Sequence, residues 1–327
     1  MYSTPLRAVL AAMSPLTVDE QQHLLGDRSL TQLQVVFARV PDPRQRLGRP
    51  YSLPFLLTCL VAALLCNCNS TLAVEEWCHA HRGPLQQVFG PLRHLTPSGS
   101  LYRRLLPRLS VEHLEWALAG WRHATRPVAD TEAVAVDGKT VCGASDATHA
   151  APHLLTVYTH TTQEVLAQVR VSEKTNEIPV AQALLPLLLA QSGSGRVITA
   201  DALHTQTALV AAVRAHGGHV VLTVKGNQPT LATELALLFA DPRTTVRRAT
   251  TRDRQRGRRE QRTLEVTTDL TAFLASASPW PQIAQVGRLT RTVATTRGSR
   301  QEQVFIVTTL PPDQACPACL LKLLRQH

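Results

Sequence analysis

No apolar run in this chain approaches the roughly 20 residues that a membrane-spanning helix needs. The most apolar stretch, Leu53 to Cys66, covers 14 residues and is followed at once by polar Asn67, so it reads as a buried core helix. An even, regularly spaced cysteine set is also missing. Seven cysteines, at positions 59, 66, 68, 78, 142, 316 and 319, form no disulfide framework and fit a reducing cytosol. Cys316-Pro-Ala-Cys319 has the spacing of half a zinc site, but no second CxxC or His pair stands at finger distance, which leaves structural thiols. The N-terminus, MYSTPLRAVLAAMSP, carries one Arg and too short an apolar core for a signal peptide. Together these absences lead to the expectation of a soluble, cytoplasmic protein with no membrane partner. One more concerns Gly138-Lys139-Thr140, which looks like the end of a phosphate-binding P-loop. That loop needs a glycine five positions before Gly138, where Ala133 stands. Ala133 to Val136 reads instead as a strand that ends in Asp137.

Acidic residues are outnumbered: 34 Lys and Arg against 24 Asp and Glu give a formal charge of +10. Most of the bases are Arg, whose planar fork of donors suits phosphate, so the balance favours a nucleic-acid partner. At 327 residues the chain can hold two domains. Residues 1–125 carry helical periodicity with helix punctuation at Ser14-Pro15, Asp42-Pro43, Ser52 and Ser110, which predicts an all-α N-terminal domain. Within it, Pro97-Ser98 opens a capped helix with Arg103 and Arg104 in its second turn. Those two are candidate DNA contacts, or the solvated side of a helix packed on its other face.

From Glu132 the period becomes strand-like, and residues 126–327 form the second domain. Strands are expected at Ala133–Asp137, His153–Thr161 and Glu164–Ser172. A helix at Asn176–Gln191, a strand at Arg196–Ala200 and a helix at His204–His216 follow. Val220–Lys225 and Gln228–Phe239 add a further strand and helix. This β-β-β-α-β-α-β-α order allows an antiparallel meander, with a right-handed crossover that lays the fourth strand parallel to the first. Parallel neighbours end at one edge, so Asp137 and Asp201 are expected close together there. His204 and Lys225 end beside the same edge and, with Lys139, are candidate DNA contacts.

Two carboxylates a few ångströms apart cannot cheaply both stay ionised, and a divalent cation relieves the repulsion. Hard carboxylate oxygens suit Mg²⁺ or Mn²⁺. Two such ions about 4 Å apart can activate an attacking oxygen and steady a leaving one, which is chemistry for phosphodiester bonds. Taken singly, Asp137 before Gly138 is a turn residue and Asp201 a helix N-cap. Their position at matching strand ends in a basic protein favours the metal site.

Four segments in order carry a resemblance: Ala135-Val-Asp-Gly-Lys-Thr140, Ser172-Glu-Lys-Thr-Asn-Glu-Ile178, Thr199-Ala-Asp-Ala-Leu-His-Thr-Gln206 and Val224-Lys-Gly-Asn-Gln-Pro229. Together they resemble the DDE transposases of bacterial insertion sequences, in the branch that includes the H-repeat-associated proteins. Val40-Pro-Asp-Pro-Arg44, Glu75-Glu-Trp77 and Pro97-Ser98 look like the associated domain that precedes the catalytic one there. The resemblance implies an α/β fold, a ribonuclease-H-like mixed sheet flanked by helices with a β-rich insertion at about 241–310, behind the all-α domain. It implies two Mg²⁺ or Mn²⁺ ions and double-stranded DNA, both element ends and target, as partner. Cleavage and strand transfer by a homodimer in a synaptic complex, associated with the nucleoid, complete the expectation. Asp137 and Asp201 match the first two catalytic acids and metal ligands. The Ser172–Ile178 signature receives no role, and Glu177 within it reads as a helix-start residue.

The third acid departs from the family pattern. Related transposases present a Trp-x-Ile-Glu motif on a last helix; here the helix expected at Asp313–His327 matches the approach, Leu-Leu-Arg-Gln-His, and stops. The chain is therefore expected to be C-terminally truncated, with cleavage impaired. Glu260, within Arg256-Gly-Arg-Arg-Glu-Gln-Arg262, is the candidate substitute as catalytic acid, and its plainer reading is a salt-bridged residue of a basic strand. Arg258 and Arg259 beside it are candidate DNA contacts. Insertion strands are expected at Thr245–Ala249, Gln261–Thr268, Gln285–Thr295 and Gln303–Thr309. Two functions follow: a metal-dependent transposase, or a non-catalytic DNA-binding remnant that inhibits full-length copies. A hydrolytic nuclease on the same fold is a third.

Overall fold

The apolar run forms a helix because its first turn is prepared for one. In the computed structural model α1 (Leu30–Phe37) precedes α2 (Leu53–Leu65), where the Ser52 side chain accepts from the Phe55 N–H and Pro54 occupies a position whose N–H has no helical partner. The structure describes residues 30–45, 49–90, 96–125, 132–145, 150–171, 177–190, 195–255, 258–269, 280, 282–295 and 298–327. Residues 172–176 of the family signature, and the punctuation at Ser14-Pro15, lie outside them. The chain divides into two compact units, 1–128 and 129–327.

In the first unit α3 (Thr71–Ala80), α4 (Arg82–Phe89), α5 (Gly99–Leu105) and α6 (Val111–Thr125) join α1 and α2. Phe37, Leu56, Leu57, Cys59 and Tyr102 are buried in one core, so α2 is a core helix. Among the described residues no helix is long and apolar enough to cross a membrane. Gly99 lets α5 approach α3: a Cβ there would meet the Thr71 carbonyl oxygen at 2.7 Å, and the Gly99 N–H donates to Glu75 Oε2 at 2.7 Å. With Tyr102 and Leu105 facing the core, Arg103 and Arg104 are exposed.

The second unit begins with β1 (Val134–Thr140), β2 (His153–Thr159) and β3 (Val165–Val171). Then come α7 (Glu177–Ala190), β4 (Val197–Ala200), α8 (Thr207–Ala215), β5 (His219–Val224) and α9 (Pro229–Ala240). Four long strands, β6 (Arg247–Gln255), β7 (Arg258–Thr267), β8 (Gln285–Thr295) and β9 (Gly298–Thr308), lead to α10 (Pro317–Gln326). All nine strands form one sheet, in the order β3-β2-β1-β4-β5-β9-β8-β7-β6. The first three pair antiparallel, and β4 and β5 add parallel to β1, which is the expected ribonuclease-H-like arrangement. Apolar β-branched runs such as Val134–Val136 and Val220–Leu222 are buried, as strands covered on both faces require.

The β-rich segment does not stand apart from this sheet. β9 pairs antiparallel with β5, so the β6–β9 meander lengthens the sheet on one side. β6 runs to Gln255, well beyond the expected Ala249, because it pairs with β7 along its whole length. β1 likewise continues past Asp137 to Thr140 by pairing with β2. Gly138-Lys139-Thr140 is thus extended strand, and the P-loop geometry is absent. α10 seats Leu320 and Leu321 against Val221, Leu264, Val266 and Ile306. Leu320→Ala is therefore expected to lower stability by about 2–5 kcal/mol in urea unfolding. The same change at Leu237, which is 68% exposed, should cost less than about 0.5 kcal/mol.

Candidate active site

β1 and β4 lie parallel with Val136 opposite Ala200. The next residue on each is an aspartate, so Asp137, within β1, and Asp201, just past the end of β4, lie side by side towards one face, with backbones about 4.8 Å apart. Each carboxylate has a local partner. Asp137 Oδ2 is 3.1 Å from Lys139 Nζ. Asp201 Oδ1 accepts from the Leu203 N–H at 3.0 Å and caps the short 3₁₀ turn Ala202–His204. That turn delays the helix expected at His204 until Thr207.

β3 ends at the same edge, so α7 begins there, and its first residue is Glu177. The Glu177 carboxylate, 16% exposed, has Oε1 2.6 Å from His153 Nε2 and Oε2 3.3 Å from His204 Nε2. Gly138 makes the room: a Cβ there would overlap the carboxylate. Glu177 thus approaches β1 from the Gly138 side, while Asp137 points to the opposite face. On that opposite face α10 delivers His327. Tyr158 donates to the His327 carbonyl at 3.1 Å, and Thr199 Oγ1 and His327 Nδ1 share a hydrogen bond of 3.2 Å. Burial pushes the His327 imidazole down, although Asp137 and Asp201 pull it the other way. His160, buried with Nε2 2.8 Å from Thr199 Oγ1, is held at about 4 by burial and by His327.

Lys139 and Lys225 are exposed at this edge. The loop after Lys225 is tied to the loop after Asp201, because Asn227 donates to the Ala202 carbonyl and Gln228 donates to that of Thr205 at 2.9 Å. His204 departs from expectation. Only 1% exposed, it packs against Glu177 and presents no surface to a DNA backbone. Glu260 also lies elsewhere. It is on β7, five strands across the sheet from β1, roughly 24 Å at one strand spacing per step. There Arg262 and Arg291 grip it at 2.6 and 2.5 Å, and the Arg291 hydrogen bond, against the opposing effect of burial, holds its carboxyl below the usual range. The plainer reading of Glu260, a salt-bridged strand residue, describes what is found. Arg258 and Arg259 flank it and are exposed. Cys316 and Cys319 are exposed free thiols at the start of α10, with Sγ atoms 2.9 Å apart.

Residues 129–326 match the family described as Transposase DDE domain, and residues 35–122 match the one described as DDE_Tnp_1-associated. The chain belongs to the DDE transposase family. An uncharacterized protein in the dhlA 3′ region of Xanthobacter autotrophicus is 31% identical over 251 residues, covering 75% of this transposase-family chain and 83% of that protein. The H repeat-associated protein YhhI of Escherichia coli is 25% identical over 191 residues, 58% of this chain. That alignment spans half of YhhI. A synaptic complex of piggyBac transposase with hairpin DNA aligns over 94% of this chain and 65% of its own, at 11% identity and a TM-score of 0.39.

DDE transposases use divalent cations, and the donors fit such an ion: two carboxylates side by side, with no thiolate. Among the described residues no group of three or more His, Cys, Asp or Glu side chains is gathered to hold a metal, so the edge offers a pair. Sequence reasoning missed Glu177, His153 and His327. The signal for Glu177 was topological: the third meander strand ends at the same edge as β1, the edge from which the chain passes to the next helix.

Two outcomes follow. Gly138→Ala should displace Glu177 from His153 and destabilise the fold by about 1–3 kcal/mol, whereas Gly143→Ala, with open space around it, should leave it unchanged in thermal melts. His160, at about 4 in the fold against an ordinary 6.5, takes up its proton first in the unfolded chain. Its contribution is complete above pH 6.5 and is lost as the pH falls towards 4, by about 3 kcal/mol. His160→Gln should flatten that stretch of a stability–pH curve measured with urea.

Proposed function

We propose that this chain is a transposase of a bacterial insertion sequence, which binds element ends as a dimer and performs DNA cleavage and strand transfer. The observation that carries this reading is the parallel register of Val136 with Ala200, each followed directly by an aspartate. In this reading the helical unit is the associated domain and the sheet unit the catalytic one, and the protein works on the nucleoid in the cytoplasm.

Asp137 and Asp201 would hold Mg²⁺ or Mn²⁺, whose charge lowers the pKa of an attacking water or 3′-hydroxyl and steadies the leaving oxygen. Exposed Lys139, 3.1 Å from Asp137, and exposed Lys225 would each offer a point charge to a phosphate at the same edge. Glu177 replaces Glu260 as the acid nearest this edge. Its place against Gly138 and two imidazoles supports a role in fixing the Asp137 strand end.

A second reading, a DNA-binding protein that blocks active copies, is favoured by His327. Its imidazole lies within the field of both aspartates, beside the position a cation would take. Incubation with end-bearing DNA and Mn²⁺ separates the two. A transposase nicks and joins strands, and Asp137→Asn or Asp201→Asn should cut that rate by more than about 100-fold, since disturbing a ligand's support alone costs 10- to 100-fold, while DNA binding persists. A shift in DNA mobility without nicking by the unaltered chain establishes the blocking protein.

A further inference from the structure

The β6–β9 extension has two chemically different faces. Side chains alternate across a strand, so β6 sends Arg248, Thr250, Arg252 and Arg254 to one face and Ala249, Thr251 and Asp253 to the other. Exposure follows the alternation: the first set is exposed and the second half-buried. On the half-buried face two acids are matched by arginines. Asp253 lies 3.5 Å from Arg262 and 3.0 Å from Arg325 of α10, and Glu260 is held by Arg262 and Arg291.

The open face lacks that balance. Among the described residues its one acid, Glu265, is buried at the base of the strands and already held by Arg248 and by Arg288. Farther out, Thr250 pairs with Thr263 and Arg252 with Gln261, side chain to side chain at 3.1 Å in both cases. A recess of about 510 Å³ opens over these residues. At the outer end Arg254 stands directly opposite Arg259. Among the described residues neither has an acidic partner. Like charges facing each other across a ladder repel, and solvent alone would explain two scattered arginines but gives no reason to oppose them. An anion between the two does.

We propose that this open face, and not the face of Arg258 and Glu260, grips the phosphate backbone of duplex DNA. The inference rests on the DNA-binding reading above and names its surface. Arg252, Arg254 and Arg259 supply charge, and the Thr and Gln side chains supply neutral hydrogen-bonding groups suited to phosphate and sugar. Such contacts position a duplex without reading its bases. Arg258 and Arg259, adjacent in sequence, therefore have different roles: Arg259 faces DNA, whereas Arg258 belongs to the ion-paired side.

The test compares two variants of equal charge in the full chain, Arg254→Gln/Arg259→Gln and Arg258→Gln/Arg300→Gln, binding a random-sequence DNA duplex across a salt series. Removal of two phosphate contacts should lower the slope of log K against log salt by about 1.8 and weaken binding more than tenfold at low salt. The Arg258/Arg300 variant should keep the original slope. Because the first variant also removes a like-charge pair, its melting temperature should equal or exceed that of the unaltered chain. Equal losses in both variants, or none in the first, overturn the proposal while leaving DNA binding intact. An unaltered chain that does not bind duplex DNA overturns the DNA-binding reading with it. Binding of an acidic protein surface with DNA affinity unchanged in the first variant would assign the face to a protein partner and overturn it as well.

Discussion

The parallel pairing of β1 with β4 is the constraint on which the rest of the site depends. A slip of one residue would turn every side chain of one strand to the other face and separate Asp137 from Asp201. Three features oppose it. Val134, Ala135, Val136, Ile198, Thr199 and Ala200 are all buried, so both faces of both strands are committed to packing. The Thr199 hydroxyl reaches the Val134 carbonyl at 3.4 Å and binds His160 at 2.8 Å, fastening the strand from the side. The repulsion between the carboxylates, which works against the register, is offset at Asp137 by Lys139 and at Asp201 by a backbone N–H. A hydrophobic register thus holds two charges where electrostatics alone would not put them.

Much of this was legible because the strands of the catalytic unit are short apolar runs with clear ends. Val-Ala-Val before Asp137 and Ile-Thr-Ala before Asp201 fix their direction and their last buried residue, and the crossover rule then brings the two ends together. What escaped has local physical reasons. Glu177 stands at a helix start, where an acid is favourable in any helix, and its neighbours His153 and His204 are 24 and 27 positions away in the chain. The hint lay in Gly138, a glycine inside a strand, which commonly marks a close approach by another group. His204 misled because the reading began the helix at His204 itself, beside the exposed sheet edge. The capped 3₁₀ turn instead folds that imidazole inward. Glu260 misled because a run of charge says nothing about distance across a sheet.

Composition carried a related ambiguity. Thirty-four bases against 24 acids states a net field but not its arrangement, and in the β6–β9 extension the arrangement follows from the pleat. Burial without partners is costly for charge. Where α10 and the sheet half-bury the strands, Asp253 and Glu260 are each held by arginines, including Arg325 from α10 itself. At the base of the other face α9 does the same work, with Arg288 over the Phe239 ring and donating to its carbonyl while also holding Glu265. Burial alone would raise the Glu265 carboxyl, yet Arg248 and Arg288 outweigh it and hold it low.

Beyond Phe239 no described residue covers the open face, and there the rule of matched charge lapses. Water screens exposed charges well enough that unpaired arginines cost little, so exposure explains why they are tolerated but not why they are there. A strand pair under no other demand gains from Thr, Val or an opposite charge at each facing position. At Arg254 and Arg259 the sequence does the reverse, and it does so on the side of the extension where no acid competes for the guanidiniums. Local rules are broken where something outside the chain supplies the missing term. The sheet that places two acids together at one edge carries, several strands away, two bases placed together on the uncovered face.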